Sequence, residues 1–214
     1  MNILIGGSGS SGSTLLRTLL NNHPDIFSGD ELSLFNKHMA YADWPKFCAS
    51  LDETLARSCC SDGWFPFPEI NILDTEYGWS SDELKSVIAR SCSLVDFAQT
   101  FFRRPLEIYE KSFWIEKTPS NAYCFSQFLD QFPESKVIHL VRDPYDSITS
   151  LIKRGFSVYY AVGIWFINNA FALRVESDNR YLRIRYEDLC SETDATMAVI
   201  FKFIGAKGFD YQIR

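Results

Sequence analysis

Several absences narrow the possibilities for this 214-residue chain before any motif is read. It has no surplus of positive charge: 21 Lys and Arg stand against 27 Asp and Glu, a net charge of −6. A general nucleic-acid or membrane-surface binder needs the opposite balance. It has no apolar run that could span a bilayer. The longest, Val158 to Leu173, holds Asn168 and Asn169 and falls short of ~20 residues, so it reads as a buried helix. It has no metal-ligand spacing among Cys48, Cys59, Cys60, Cys92, Cys124 and Cys190. Nor is there an apolar leader, because Ile3 to Ile5 runs at once into a polar loop. Reduced thiols and a cytoplasmic location are therefore expected, with the neighbours Cys59 and Cys60 read as two ordinary thiols. No repeat or low-complexity tract breaks the chain, and 46% hydrophobic with 22% charged residues is ordinary for one globular domain.

One further absence is chemical. The apolar run Ile3–Ile5 enters a loop of only Gly, Ser and Thr, and the loop opens an apolar helical pattern at Leu15, Leu16, Leu19 and Leu20. Strand, glycine-rich turn and helix start together aim backbone N–H groups and a helix dipole at one point, which favours an anion. Gly lets the backbone come close, and Ser13 and Thr14 add hydroxyls. Gly7 to Thr14 fits G-x-x-x-x-G-K-(S/T) everywhere except the lysine, which is Ser13. ATP hydrolysis needs that lysine on the β- and γ-phosphates. The loop is thus shaped for a phosphate but poorly equipped for ATP chemistry. A flexible Gly/Ser linker or tag scar is the plainer alternative, and the flanking strand and helix speak against it.

The remaining pattern alternates strands and helices. Strands are expected over 2–7, Ile26–Ser28, Phe113–Glu116, Lys136–Val141 and Tyr181–Arg185. Helices are expected over 13–22, from a Thr118 or Ser120 cap to Phe132, from the Asp143 cap and Pro144 to Gly155, and to Gly205 behind a Ser191/Asp194 capping box. This predicts an α/β fold, a central parallel sheet flanked by helices in three layers. Ligands of such sheets sit at the carboxyl ends of the strands, where the Gly/Ser loop, Lys117 and Arg142 fall.

Ser11-Gly12-Ser13-Thr14-Leu15-Leu16 resembles the 5′-phosphosulfate loop of sulfotransferases, commonly Pro, then Lys or Arg, then Ser-Gly-Thr-Thr. The resemblance continues at His23-Pro24-Asp25 with Gly29-Asp30-Glu31, as in the tyrosylprotein and bacterial-type branch. It returns at Glu116-Lys117-Thr118-Pro119, at Val141-Arg142-Asp143-Pro144 through Ser150, and at Arg185-Tyr186-Glu187-Asp188-Leu189. Residues 36–110 match no motif.

The resemblance implies a P-loop-type fold and sulfuryl transfer from 3′-phosphoadenosine 5′-phosphosulfate (PAPS), without a metal, leaving adenosine 3′,5′-bisphosphate. It implies a small-molecule, carbohydrate or peptide acceptor. Gly9, Ser10, Ser11, Gly12, Ser13, Thr14 and Leu15 would meet the 5′-phosphosulfate, Arg142 and Ser150 the 3′-phosphate, and Tyr186 the phosphosulfate region. Lys117 would face the bridging oxygen and Glu31 would be the base, with His38 as a rival. The plainer alternatives are an Arg142 ion pair with Asp143 or Asp146, a surface Lys117 paired with Glu116, an exposed Ser150, a helix-start carboxylate at Glu31 and a packed Tyr186. His139, inside a strand, and His23, before a proline, read as structural. The single domain 1–214 would carry 36–110 as a helical acceptor pocket or lid, with a second hydrophobic core as the plainer alternative.

Two departures accompany the resemblance. Ser10 stands where the family has Lys or Arg, and Lys117 or Arg17 would have to replace that charge. The chain also ends soon after Gly205, where relatives often continue. A small-molecule kinase and a non-catalytic nucleotide or protein binder are therefore the competing readings.

Overall fold

A computed structural model of the chain describes residues 2–56 and 70–207. Cys59, Cys60 and the Trp64 to Pro68 stretch lie outside the described residues. Five strands form one parallel sheet in the order β2-β3-β1-β4-β5: β1 Asn2–Gly7, β2 Ile26–Phe27, β3 Phe113–Lys117, β4 Lys136–Val141 and β5 Tyr181–Arg185. The expected strands and these agree to within a residue at each end. Their short apolar runs bounded by loops leave strand as the natural reading.

Alternating side chains send the strands into two hydrophobic layers. Ile3, Ile5, Ile115, Ile138, Leu140 and Ile184 pack against α1 Ser13–Asn21 and α11 Thr193–Ile204. Leu4, Phe27, Trp114 and Val137 pack on the other face with residues of α3 Trp44–Ala56, α5 Ser81–Arg90, α6 Leu94–Ile108 and α7 Phe125–Gln131. Short helices α2 His38–Ala42 and α4 Ile70–Thr75 complete that layer. Most of the described aromatics of 36–110 belong to this core. Trp44, Phe47, Trp79, Phe97, Phe101 and Phe102 are all buried in it.

Three expectations are corrected. No side chain caps the helix after β3: a 3-10 turn, Pro119–Cys124, precedes α7, and the Thr118 hydroxyl donates to Glu116 instead. Ser191 and Asp194 form no capping box. Ser191 ends α10 Tyr186–Ser191 and donates to the Glu187 carbonyl, while α11 starts after Glu192 without a side-chain cap. Val158–Leu173 is a helix, α9, but not a buried one. Tyr159 is 91% and Phe166 64% exposed, and Asn168 and Asn169 face inward. The Asp143 cap holds as read: its carboxylate accepts from the N–H groups of Tyr145 and Asp146 at the start of α8 Pro144–Lys153.

Candidate active site

β1 lies between β3 and β4, and its connection and that of β3 leave toward opposite edges of the sheet. Such a switch opens a crevice at the strand ends. A cleft of about 810 Å³ lies there. Of the residues singled out from sequence, Gly9, Ser10, Gly12, Ser13, Thr14, Glu31, Arg142 and Ser150 line it.

The loop after β1 is held in an unusual backbone shape. Gly12 has φ 87° and Ser10 φ 62°, both left-handed, and no side chain caps α1. The first N–H groups of α1 are thus left without a capping side chain, as an anion site requires. A Cβ on Gly12 would lie 2.1 Å from the Tyr186 ring, so only Gly lets Tyr186 close over the loop. The Arg142 guanidinium stacks on the same ring at 4.6 Å and donates to the Ser10 carbonyl at 3.2 Å. Its other contact is the Asp146 carboxylate at 3.4 Å, one of the plain alternatives, which is a weak exposed pair. Tyr186 has its phenol pushed up by its hydrogen bond to Cys190 and by burial. Ser11 lies behind the cleft wall, fully buried, and Leu15 is 39% exposed on α1.

Glu31 and Lys117 meet. Lys117, at the end of β3, is buried and forms an ion pair with the half-exposed Glu31 carboxylate; it does not pair with Glu116. No helix begins at Glu31. Its loop is pinned instead from both sides. Asp30 pairs with Arg17 at 2.6 Å, and its carbonyl accepts from the Tyr77 hydroxyl at 2.6 Å. Arg17 is thereby committed away from the loop. The Leu32 N–H donates to Glu116 Oε1 at 3.0 Å, and the Ser33 N–H to the Thr118 hydroxyl at 3.1 Å. Glu116 is fully buried, and burial pushes its carboxyl up against the pull of these donors.

His38 is elsewhere. It is exposed on α2, with Gln127 at 3.2 Å and the Phe171 ring at 6.4 Å, beside a separate small cavity. His139 is buried between Tyr181 and Asn169, and His23 is buried with its Nε2 against the Lys207 carbonyl, both as read from sequence.

The sequence reading missed part of the cleft. Arg154, at the end of α8, reaches the Ser10 hydroxyl at 3.3 Å. It lies one turn beyond Ser150, a spacing that could have found it. Phe156, Tyr160, Ile164 and Asn168 complete the wall from α9 and the turn before it. Their sequence carried no signal, because α9 is apolar all round.

The donor set fits a phosphate. In the cleft wall, Arg142 Nε is buried and has no hydrogen-bond partner among the described residues. Polar atoms in that state want a ligand. A family model described as the sulfotransferase family matches residues 2–210. The chain belongs to the sulfotransferase family. Among relatives, it is 24% identical over 148 residues to the omega-hydroxy-beta-dihydromenaquinone-9 sulfotransferase Stf3 of Mycobacterium bovis, covering 60% of this chain and 38% of that one. It is 24% identical over 218 residues to the protein-tyrosine sulfotransferase of Drosophila melanogaster, covering 94% of this chain and 37% of that one. The chain thus spans little more than a third of the curated sulfotransferases it matches. The sulfotransferase domain of the Synechococcus PCC 7002 olefin synthase shares its fold, with a TM-score of 0.72 at 24% identity over 98% of this chain and 74% of that one. The sulfotransferase domain of the curacin biosynthetic pathway does so with a TM-score of 0.66 at 22% identity, over 97% and 74%. Among the described residues, no helix is long and apolar enough to cross a membrane, and no acidic, His or Cys cluster is placed to hold a metal.

Proposed function

We propose that this chain moves a sulfuryl group from PAPS to an acceptor hydroxyl. The observation that carries the reading is the convergence of Arg142 and Arg154, just past the ends of β4 and α8, on Ser10 of a glycine-rich helix-start loop. Two guanidiniums there make a site for a phosphate-rich nucleotide. PAPS would supply an SO3 unit, its sulfur bonding to the acceptor oxygen as the bond to the bridging phosphate oxygen breaks.

The residues divide the rest of the work. The loop from Gly9 to Leu15 binds the 5′ end, with Arg142 and Ser150 on the 3′-phosphate and Tyr186 closing over Gly12. Arg154 reaches position 10, where the family's basic residue is missing, and restores positive charge to the loop. Glu31 takes the acceptor proton. Its protonation ends the ion pair with Lys117 and frees the ammonium for the charge that develops on the leaving oxygen. Glu31 is favoured over His38 because it lines the cleft beside Lys117.

Calorimetry with adenosine 3′,5′-bisphosphate tests this, with ATP and AMP as competitors. The bisphosphate should bind in preference. Arg142→Ala should weaken it by about 10- to 100-fold, the worth of a hydrogen bond to a charged group. Equal or better binding of ATP would move the reading to a small-molecule kinase. No binding at all would leave a non-catalytic protein, which the serine at position 10 also fits.

A further inference from the structure

We propose, building on the sulfuryl-transfer reading, that the acceptor is an amphipathic alcohol whose apolar tail leaves the cleft across α9. This helix is built the wrong way round for a solvated surface. None of its 16 residues is charged. Its polar pair, Asn168 and Asn169, is 1% and 7% exposed, whereas Tyr159, Val162 and Phe166 are 91%, 46% and 64% exposed. The asparagines are held inside by partners: Asn168 donates to the Tyr123 hydroxyl at 3.3 Å, and Asn169 Oδ1 meets His139 at 2.9 Å. The orientation is therefore fixed, and the aromatic face is left to the solvent side. A large exposed apolar patch of this kind marks a binding surface.

Its position names the occupant. Tyr160 and Ile164 line the cleft. At 3.6 residues per turn, Gly163 and Ile167 follow on the adjoining strip, and Tyr159 and Phe166 on the next. The apolar surface thus runs from the cleft wall to the outside with no polar side chain between. A Cβ at Gly163 would meet nothing within 4 Å, so the middle of that path is open. Inside the cleft, Glu31, Ser33, Thr118 and Ser120 are polar, while Phe156, Tyr160 and Ile164 are apolar. A hydroxyl joined to a hydrocarbon chain matches both parts. A second copy of the chain matches less well, since each carries a net charge of −6.

The test uses the straight-chain alcohols 1-butanol, 1-hexanol, 1-octanol and 1-decanol. Their affinities are measured by calorimetry in the presence of adenosine 3′,5′-bisphosphate, and their sulfation rates with PAPS. Each seated CH2 should raise affinity about fourfold, from ~0.8 kcal/mol per buried CH2, so 1-octanol should bind over a hundredfold better than 1-butanol. Gly163→Glu puts a charge on the path in open space and in a helix that prefers Glu to Gly. It should cut the preference for 1-octanol at least tenfold and leave bisphosphate affinity and the 1-butanol rate unchanged. A flat chain-length series, no binding of any alcohol, or an unchanged preference in Gly163→Glu overturns the proposal while the bisphosphate still binds. So does a wild-type dimer in sedimentation that Gly163→Glu converts to monomer, since the face then belongs to a second copy. Wild-type protein that fails to bind the bisphosphate overturns the transfer reading, and this proposal with it.

Discussion

A fully buried carboxylate costs several kcal/mol unless donors meet its charge. Glu116 is met three times, by the Thr118 hydroxyl at 2.6 Å, the Asn121 amide and the Leu32 N–H at 3.0 Å. It binds the loop of Glu31 to the strand of Lys117, so the two candidate catalytic groups share one brace. Glu116→Ala should strand those donors and cost on the order of 3 kcal/mol in urea unfolding. Glu116→Gln should cost less, because its amide oxygen can still accept from the Thr118 hydroxyl and the Leu32 N–H. Equal losses in the two variants would show that the network is not what holds the loop. The same scale decides the serine at position 10. The missing charge was readable from the motif, but its neighbour Arg154 was not, because only folding brings residues 144 positions apart together. Arg154→Ala should weaken bisphosphate binding about tenfold or more, and adding Ser10→Lys should restore part of it in calorimetry. No recovery in the double variant would mean that Arg154 acts elsewhere than at the loop.

At the scale of elements, legibility followed the kind of signal each segment carries. The strands and α8 were readable because short apolar runs, an Asp cap, a proline at the first turn and a glycine stop act locally. The start of α11 was misread because two short helices abut there, and Ser191 spends its hydroxyl on its own helix. The face of α9 was misread for a different reason. A helix apolar on every side has no moment to orient it, and buried is then the natural expectation. What turned it was tertiary hydrogen bonding by Asn168, Asn169 and Trp165, whose Nε1 donates to the Arg142 carbonyl at 3.2 Å. The phosphate loop shows the opposite dependence, since its sequence nearly dictates its shape. Gly12 takes φ 87° directly under Tyr186. Gly12→Ala should lose about 1–2 kcal/mol from the left-handed backbone alone, and more from the displaced ring. Bisphosphate affinity should fall with it. A variant of wild-type stability and affinity would show that Tyr186 does not close on the loop.

At the scale of the molecule, a polar seam that sequence showed only in fragments ties the sheet to α9. His139 on β4 meets the Tyr181 hydroxyl on β5 at 2.7 Å and Asn169 on α9 at 2.9 Å. Asn169 Nδ2 donates to the Trp165 carbonyl, so its oxygen accepts from His139, and the imidazole is neutral with its other nitrogen accepting from Tyr181. Burial lowers its pKa from 6.5 to about 4. Between those values the unfolded chain binds a proton that the folded one refuses, so this contribution is complete above pH 6.5 and is lost as pH falls toward 4. The loss is on the order of 3 kcal/mol, from 1.36 kcal/mol per pH unit. Glu116 opposes it from the other side of the sheet's central strand, because its raised pKa lets the folded chain hold a proton that the unfolded one has released. Substitution separates the two. His139→Gln keeps a hydrogen-bonding side chain but cannot titrate, so its stability deficit relative to wild type should be largest at pH 7 and shrink steadily toward pH 4. Urea midpoints across that range measure it. A deficit that stays constant with pH would mean that the imidazole titrates alike in the folded and unfolded chain, and one that grows toward pH 4 would mean that it is charged in the seam joining β4, β5 and α9.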